Sequence, residues 1–497
     1  MEFPLVGGQF HSIPRQNDPQ TCVNLYPVVA SPLSKSMSYL YVTPGLVSFS
    51  AGTSGEQVRG MCFYNSILYI VASNTLYSLD SSGTRTTLGT LNTTTGRVNI
   101  INNRTQLKID DGSYSYTYTI ATGVLAPITD ADYTVGNLTR FLDGYGISIP
   151  TNTNTFQLSG LNDFTTYAAL DISSISTTAD TLVSCAVSHT ELWLLGTHRT
   201  EVWANTGAAN FPFERKYGIL INQGTEAPFS VIECDNSLFW LTKNEAGQRS
   251  IVRAVGYTVN VISNTSVNNE ISQYTTVSDC FAFSYESNGQ LFAVFTFPTE
   301  DKTFVYDVTA SAAAEVPVWH IRSSQNPNNL TPATRYPRWR VNCYVYAFGK
   351  HLVGDFYSGT VYELSNTTYT EDSVSILRER TTSILSAGAF LKKSQVTNLR
   401  GLEYICLDEV ELEGNRGIGL TSGQGEIPQV MLQVSKDGGI TWGQEMWRSA
   451  GEVGQYLKRL RWISLGASRN WCFRLRTSDP VEWSFFSLNI KIRPGNI

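Results

Sequence analysis

The chain reads as short apolar runs separated by turn residues. The clearest group is Val58-Arg59-Gly60-Met61-Cys62-Phe63-Tyr64, then Ile67-Leu68-Tyr69-Ile70-Val71, then Thr75-Leu76-Tyr77-Ser78-Leu79, closed by Asp80-Ser81-Ser82-Gly83. Each run has strand length and is rich in residues that suit a pleated, half-buried surface. Comparable groups recur roughly every 40 to 50 residues, the spacing of propeller blades. They fall at 97–118, where Asp111-Gly112 is a hairpin signal, and at 143–158, 191–203, 237–252, 291–307 and 351–364. The pattern predicts about six or seven such units. One unit cannot bury its apolar face alone, so the units must stack around an axis.

The two ends depart from this rhythm. Residues 1–50 carry Pro4, Pro14, Pro19, Pro27, Pro32 and Pro44, which forbid long regular structure. Apolar anchors are interleaved: Leu25 and Tyr26 in Val23-Asn24-Leu25-Tyr26-Pro27, and Tyr39 and Tyr41 in Tyr39-Leu40-Tyr41-Val42. This predicts an extended N-terminal arm that lies across its own domain or a neighbour's. Beyond 366 the runs lengthen, as at 429–434 and 485–492. The expected fold is all-β: an arm at 1–50, a β-propeller-like domain at 51–365 and a C-terminal β-sandwich at 366–497.

Composition narrows the function. Of 497 residues, 42% are hydrophobic, 12% aromatic and only 16% charged, with a net charge of -6. That is not the basic bias of a free nucleic-acid binder. It fits a surface largely occupied by protein partners. The eight cysteines are spread along the chain without a Cys-x-x-Cys pair, and the five histidines are isolated, so neither a zinc site nor any other metal site is expected. Reduced, buried thiols are expected instead. No basic and apolar leader opens the sequence, and no apolar run approaches a membrane span, so neither secretion nor membrane insertion is expected.

The sharpest motif is Ser435-Lys436-Asp437-Gly438-Gly439-Ile440-Thr441-Trp442, an Asp-box pattern. In it Ser435 and Asp437 lock a turn, Gly439 supplies positive φ and Trp442 packs beneath, so the role expected is structural. No catalytic elbow, phosphate loop or dinucleotide fingerprint appears, and neither catalysis nor a cofactor is expected. Basic residues interleaved with aromatics form two candidate protein-interface clusters. One is Arg335, Arg338, Trp339 and Arg340; the other is Arg459, Arg461 and Trp462. An acidic protein surface or nucleic acid could meet them. Arg474 and Arg476 alternate as on the solvent face of one strand.

Taken in order, these pieces resemble a known family, the packaged-DNA stabilisation or tail hub (nozzle) proteins of short-tailed lambdoid bacteriophages. Val23 to Pro27, Thr43-Pro44-Gly45-Leu46, Gly96-Arg97-Val98 and Asn103-Arg104-Thr105 resemble its early landmarks. The middle likeness runs through Glu191 to Gly196, Thr200-Glu201-Val202-Trp203, Asn205-Thr206-Gly207 and Gln223-Gly224. Phe304-Val305-Tyr306-Asp307 with Val318-Trp319, Ser435 to Gly438 and residues 461–469 continue it. The resemblance implies a late virion protein without catalysis, assembled in the host cytoplasm. It implies a cyclic self-assembly, sixfold in related phages, below the portal and its adaptor. Such a ring extends the channel for packaged double-stranded DNA, without sequence-specific contacts, and serves as conduit at ejection. It also carries the tail needle and the tailspikes or fibres. A glycan-binding or sialidase-like propeller is the alternative reading, and a trimeric fibre component a further one.

Overall fold

The computed structural model describes residues 1–495 other than 13, 15, 16, 176–179, 245, 326–335 and 387–403. Seven four-stranded antiparallel blades follow one another at 58–90, 99–127, 136–174, 182–215, 232–261, 281–321 and 341–365, the last completed by Gly45–Ser50. They are numbered here 1 to 7, and each group of runs found in the sequence is one blade. First strands of most neighbouring blades touch, as in blades 1 and 2, 2 and 3, 3 and 4, 5 and 6, and 7 and 1, so these strands line the axis.

Local chemistry sets the hairpins. In blades 1, 3, 4, 5, 6 and 7 the first two strands join through two residues that both have positive φ: Asn65-Ser66, Asp143-Gly144, His189-Thr190, Asp235-Asn236, Asn288-Gly289 and Phe348-Gly349. That is the type I′ geometry whose twist matches paired strands. Second strands such as Ile67–Ala72, Glu191–Gly196 and Gln290–Phe297 are buried along nearly their whole length. Both faces are covered by neighbouring blades, which is why these runs read as continuous rather than alternating.

Six of the blade interfaces are apolar clusters, as between blades 1 and 2 around Tyr69 and Leu107 or between blades 7 and 1 around Leu352 and Leu68. Blades 2 and 3 meet differently. Lys108 and Asp110 lie 3.5 Å apart with both side chains fully buried. Lys108 also donates to Thr139 and Ser148, and Asp110 accepts from Ser115 and Thr139. Burial would strip the ammonium of its proton, but Asp110 and the phenols of Tyr133 and Tyr167 outweigh it and hold Lys108 charged.

The first fifty residues are extended, and they lie across their own chain. Glu2–Phe3 pairs with 488–489, Pro19–Val23 with Arg378–Thr381, and Ser38–Val42 with both Leu25–Val29 and the start of the last strand, 484–495. Pro27 is tolerated because Leu25–Val29 is an edge strand. Gly45–Ser50 then crosses to blade 7 and pairs with Val361–Ser365. The sandwich expected at 366–497 is therefore completed by strands from before residue 43. Its core gathers Trp462, Trp471 and Trp483 with Phe3, Leu25 and Leu40. Val23 also pairs in parallel with Ile321 of blade 6, so one 11-stranded sheet runs from propeller into sandwich.

Buried irregular backbone along this thread needs donors. Arg380 supplies them to the carbonyls of Leu5 at 2.7 Å and Gly8 at 2.8 Å. Arg322 donates to Pro44 O at 2.9 Å and lies on the Trp339 ring at 4.0 Å. Close by, Asp307 caps the helix Val308–Ala314 through Ala310 N–H, while its second oxygen is buried without a partner. Burial pushes its carboxyl up to about 7.

Three outcomes are expected. Leu46, on the closing strand, is 1% exposed and Val47 is 40% exposed. Leu46→Ala should lower stability by about 2–5 kcal/mol in urea titration, and Val47→Ala by about 0.5 kcal/mol or less. Lys108→Met strands a buried carboxylate and should destabilise by about 3–5 kcal/mol, with most of that loss recovered by adding Asp110→Leu. For Asp307 the folded pKa lies above the unfolded one, so its proton stabilises the fold fully at low pH and the benefit is lost as pH rises through about 7. Asp307→Asn keeps the cap, so its advantage in urea melts should grow from near zero at about pH 4 to about 2–4 kcal/mol by about pH 8.

Candidate interaction surfaces

The Asp box is a turn between strands Gln429–Ser435 and Met446–Ser449. Asp437 accepts the N–H groups of Ile440 at 3.0 Å and Thr441 at 2.9 Å, and Ser435 Oγ accepts that of Gly439 at 2.8 Å. Gly438 and Gly439 have φ of 76° and 93°. A Cβ on Gly439 would meet Pro19 at 2.8 Å, so the turn is seated on the N-terminal thread. Trp442 lies flat on the guanidinium of Arg474 at 3.6 Å. The Asp437 carboxylate does turn chemistry.

Trp442 and Arg474 open into a cleft of about 450 Å3 between sandwich and blade 6. At its floor Glu379 is buried and accepts from Tyr336 at 2.6 Å and from Arg476 at 2.7 Å, with Arg474 at 3.5 Å. The reading of Arg474 and Arg476 as a solvent face is thus corrected. They face the joint between the two domains and neutralise a buried carboxylate. A two-residue alternation names a common face, not what covers it.

Burial also corrects part of the proposed interface set. Leu25, Tyr26, Trp339 and Trp462 are core side chains and offer a partner nothing. Trp339 donates to Glu371 at 2.9 Å and Trp462 to Met446 O at 2.8 Å. Arg340 is engaged by Asp355 at 2.6 Å and by Tyr362. Arg459 and Arg461 stay partly exposed but pair with Glu411 and Glu409 across the strands of one sandwich sheet, where Lys491 and Arg493 pair with Glu409 and Asp408. This face is a lattice of opposite charges rather than a basic patch. Tyr39 and Tyr41 are half-buried, and Tyr41 donates to Glu482 at 2.8 Å. Arg335 lies outside the described residues.

The surfaces that stand out are ones the sequence did not single out. The hairpin tip between 29 and 38 exposes Leu33 (97%) and Met37. The sandwich loop at 450–459 exposes Val453, Tyr456 and Leu457 (93%). Loop residues have no periodicity, so their apolar character carried no signal. Among the described residues no group of His, Cys, Asp and Glu could hold a metal ion, and all eight cysteines are free. Among the described residues no helix is long and apolar enough to cross a membrane.

The propeller axis opens at one end into a cavity of about 640 Å3, walled by the starts of the inner strands. Arg97, Arg338, Asp111, Glu226 and Asp279 reach it. Glycoside hydrolysis needs a protonated acid beside an ionised base or nucleophile. Here Asp111 accepts from Thr93, Ser113 and Tyr114, while Glu226, despite burial, is held below the usual carboxylate range by Lys243 and Arg249. These two carboxylates are committed to turn and ion-pair roles.

Residues 1–369 match the family model described as bacteriophage P22 Gp10, β-propeller, and residues 395–493 match the one described as bacteriophage P22 Gp10, β-sandwich. No curated protein matches the sequence. Among solved structures, the N-terminal domain of Nup159 is similar at 10% identity and a TM-score of 0.40, covering 68% of this chain and 97% of that one. The extracellular domain of the putative hybrid two-component system BT4673 from B. thetaiotaomicron is similar at 10% identity and a TM-score of 0.42, covering 64% of this chain and 39% of that one. With both of its domains matched in order, the chain belongs to the bacteriophage P22 Gp10 family.

Proposed function

We propose that this phage structural tail protein assembles as a closed, six-membered ring below the portal and its adaptor, where it extends the DNA channel. The observation that carries this reading is the match of both domains, in order, to the Gp10 family. The physical character of the subunit supports it. A part that transmits load between head and tail must not flex at its domain joint, and here sheet, thread and buried ion pairs cross that joint together. Closed rings arise when one patch on a subunit fits a different patch on the next with the right rotation. The apolar tips around Leu33 and Leu457 are the patches we assign to subunit or adaptor contact.

In this reading the needle and the tailspikes or fibres dock on the ring, which retains packaged DNA as a constriction and then passes it at ejection. Charge supports passage without grip. The net charge is -6, and the basic residues of the sandwich face are matched by acids. Tight phosphate contacts would slow ejection.

The deciding measurement is mass determination with negative-stain imaging of the purified protein, alone and mixed with its portal–adaptor complex. A ring in either sample, weakened by Leu33→Ser or Leu457→Ser without loss of thermal stability, is expected. A monomer that ignores the adaptor would overturn the reading.

A further inference from the structure

Two arginines that make no close ion pair among the described residues line the mouth of the propeller axis. Arg97 comes from the start of blade 2 and Arg338 from the segment that enters blade 7, and both line the same cavity. The Arg97 guanidinium lies 3.7 Å over the Phe281 ring and spends one nitrogen on Asn342 O at 2.6 Å. Arg338 lies 3.6 Å over the Phe356 ring. Its Nη1 is buried without a partner, and the side chain is 9% exposed. Among the described residues no carboxylate comes within ion-pair distance of either guanidinium.

The two groups also feel each other. Both are pulled down to about 10, first by burial, and for Arg97 the charge of Arg338 adds to the effect. This differs from Arg380 and Arg476, while Arg322, which also has unpartnered nitrogens, keeps Glu371 at 3.9 Å. Arg380 is turned onto backbone carbonyls, and Arg476 is paired with Glu379 and Glu445. Of the acids at the mouth, Glu226 and Asp111 are already engaged. Asp279 accepts from Thr299 N–H through one oxygen, and its other oxygen is buried without a partner. Two guanidinium groups without a close ion pair therefore face Asp279, and the charges of Asp301, Asp279 and Asp355 all act on Arg338 without reaching its guanidinium. Two aromatic faces hold both guanidinium planes, so little order remains to be imposed on binding.

We propose that the axial mouth is a binding site for an oxyanion, carboxylate or phosphate, gripped between the guanidinium groups of Arg97 and Arg338. Planar guanidinium forks match both kinds of oxygen pair, and a partly buried mouth strengthens the charge-assisted bonds. The site lies within one subunit and goes beyond the ring reading, so either can fail without the other.

The test uses phenylglyoxal, which modifies arginine, on the full chain, with sites mapped by mass spectrometry. Inorganic phosphate and succinate are compared with chloride at equal ionic strength. At least one anion should slow modification of Arg97 and Arg338 about tenfold when present at roughly ten times its dissociation constant. The same anion should raise the melting midpoint by about 2 °C or more, and Arg338→Gln should abolish the rise. Protection by phosphate alone assigns the site to phosphate, and protection by succinate alone assigns it to carboxylate. Unchanged modification of both arginines with either anion, or a rise that persists in both Arg338→Gln and Arg97→Gln, would overturn the proposal. The protection assay needs no variant, so a variant that fails to fold leaves the question decided.

Discussion

Everything in this molecule depends on the pairing of Gly45–Ser50 with Val361–Ser365. A ring of blades without its last strand leaves an open sheet edge and an uncovered apolar face. Here the closing strand comes from the other end of the propeller sequence, and the chain reaches it only after passing through the sandwich. Closure of the propeller and completion of the sandwich are thus one event. The same thread supplies Phe3, Leu25 and Leu40 to the sandwich core and Tyr26 and Leu46 to the seam of blades 6 and 7.

That coupling explains where the polar interior lies. A thread that changes sheets runs irregularly between them, and its carbonyls find no ladder. Arg322 and Arg380 meet them instead. Glu379 stands on the same strand as Arg378 and Arg380 and gathers Tyr336, Arg474 and Arg476 from both domains. Breaking such a network from one side leaves a buried charge unpaired, so the joint resists partial opening. The Lys108–Asp110 pair does for blades 2 and 3 what apolar packing does elsewhere. It does so with directional bonds, which fix the register of the two blades as well as their contact.

A chain joined in this way presents rigid surfaces. Its sandwich face pairs opposite charges, two of its loop tips expose apolar side chains, and two arginines without a close ion pair sit at the propeller mouth. These are three separate places with three separate chemistries. At the axis, Asp111 and Glu226 are tied to their own structural neighbours.

How much was legible from sequence follows from what periodicity can report. Runs such as Ile67–Ala72 and Gln290–Phe297, bounded by residues that accept positive φ, determined the strands and brought the blades to six or seven, and the fold settled seven. The Asp-box turn was equally local, since its donors lie within a few residues of Asp437. Tertiary structure decided the rest, because pairing across more than 300 residues leaves no trace in either strand alone. Val23 to Pro27 looks the same whether it covers its own chain or another's. Trp339, Trp462, Arg474 and Arg476 looked like surface because they stand among charges, and only the fold brings Glu371, Met446 O and Glu379 to them. The exposed tips at Leu33 and Leu457 went unread for the converse reason. An apolar residue in a loop has no period, and only the folded molecule shows that nothing of its own chain covers it.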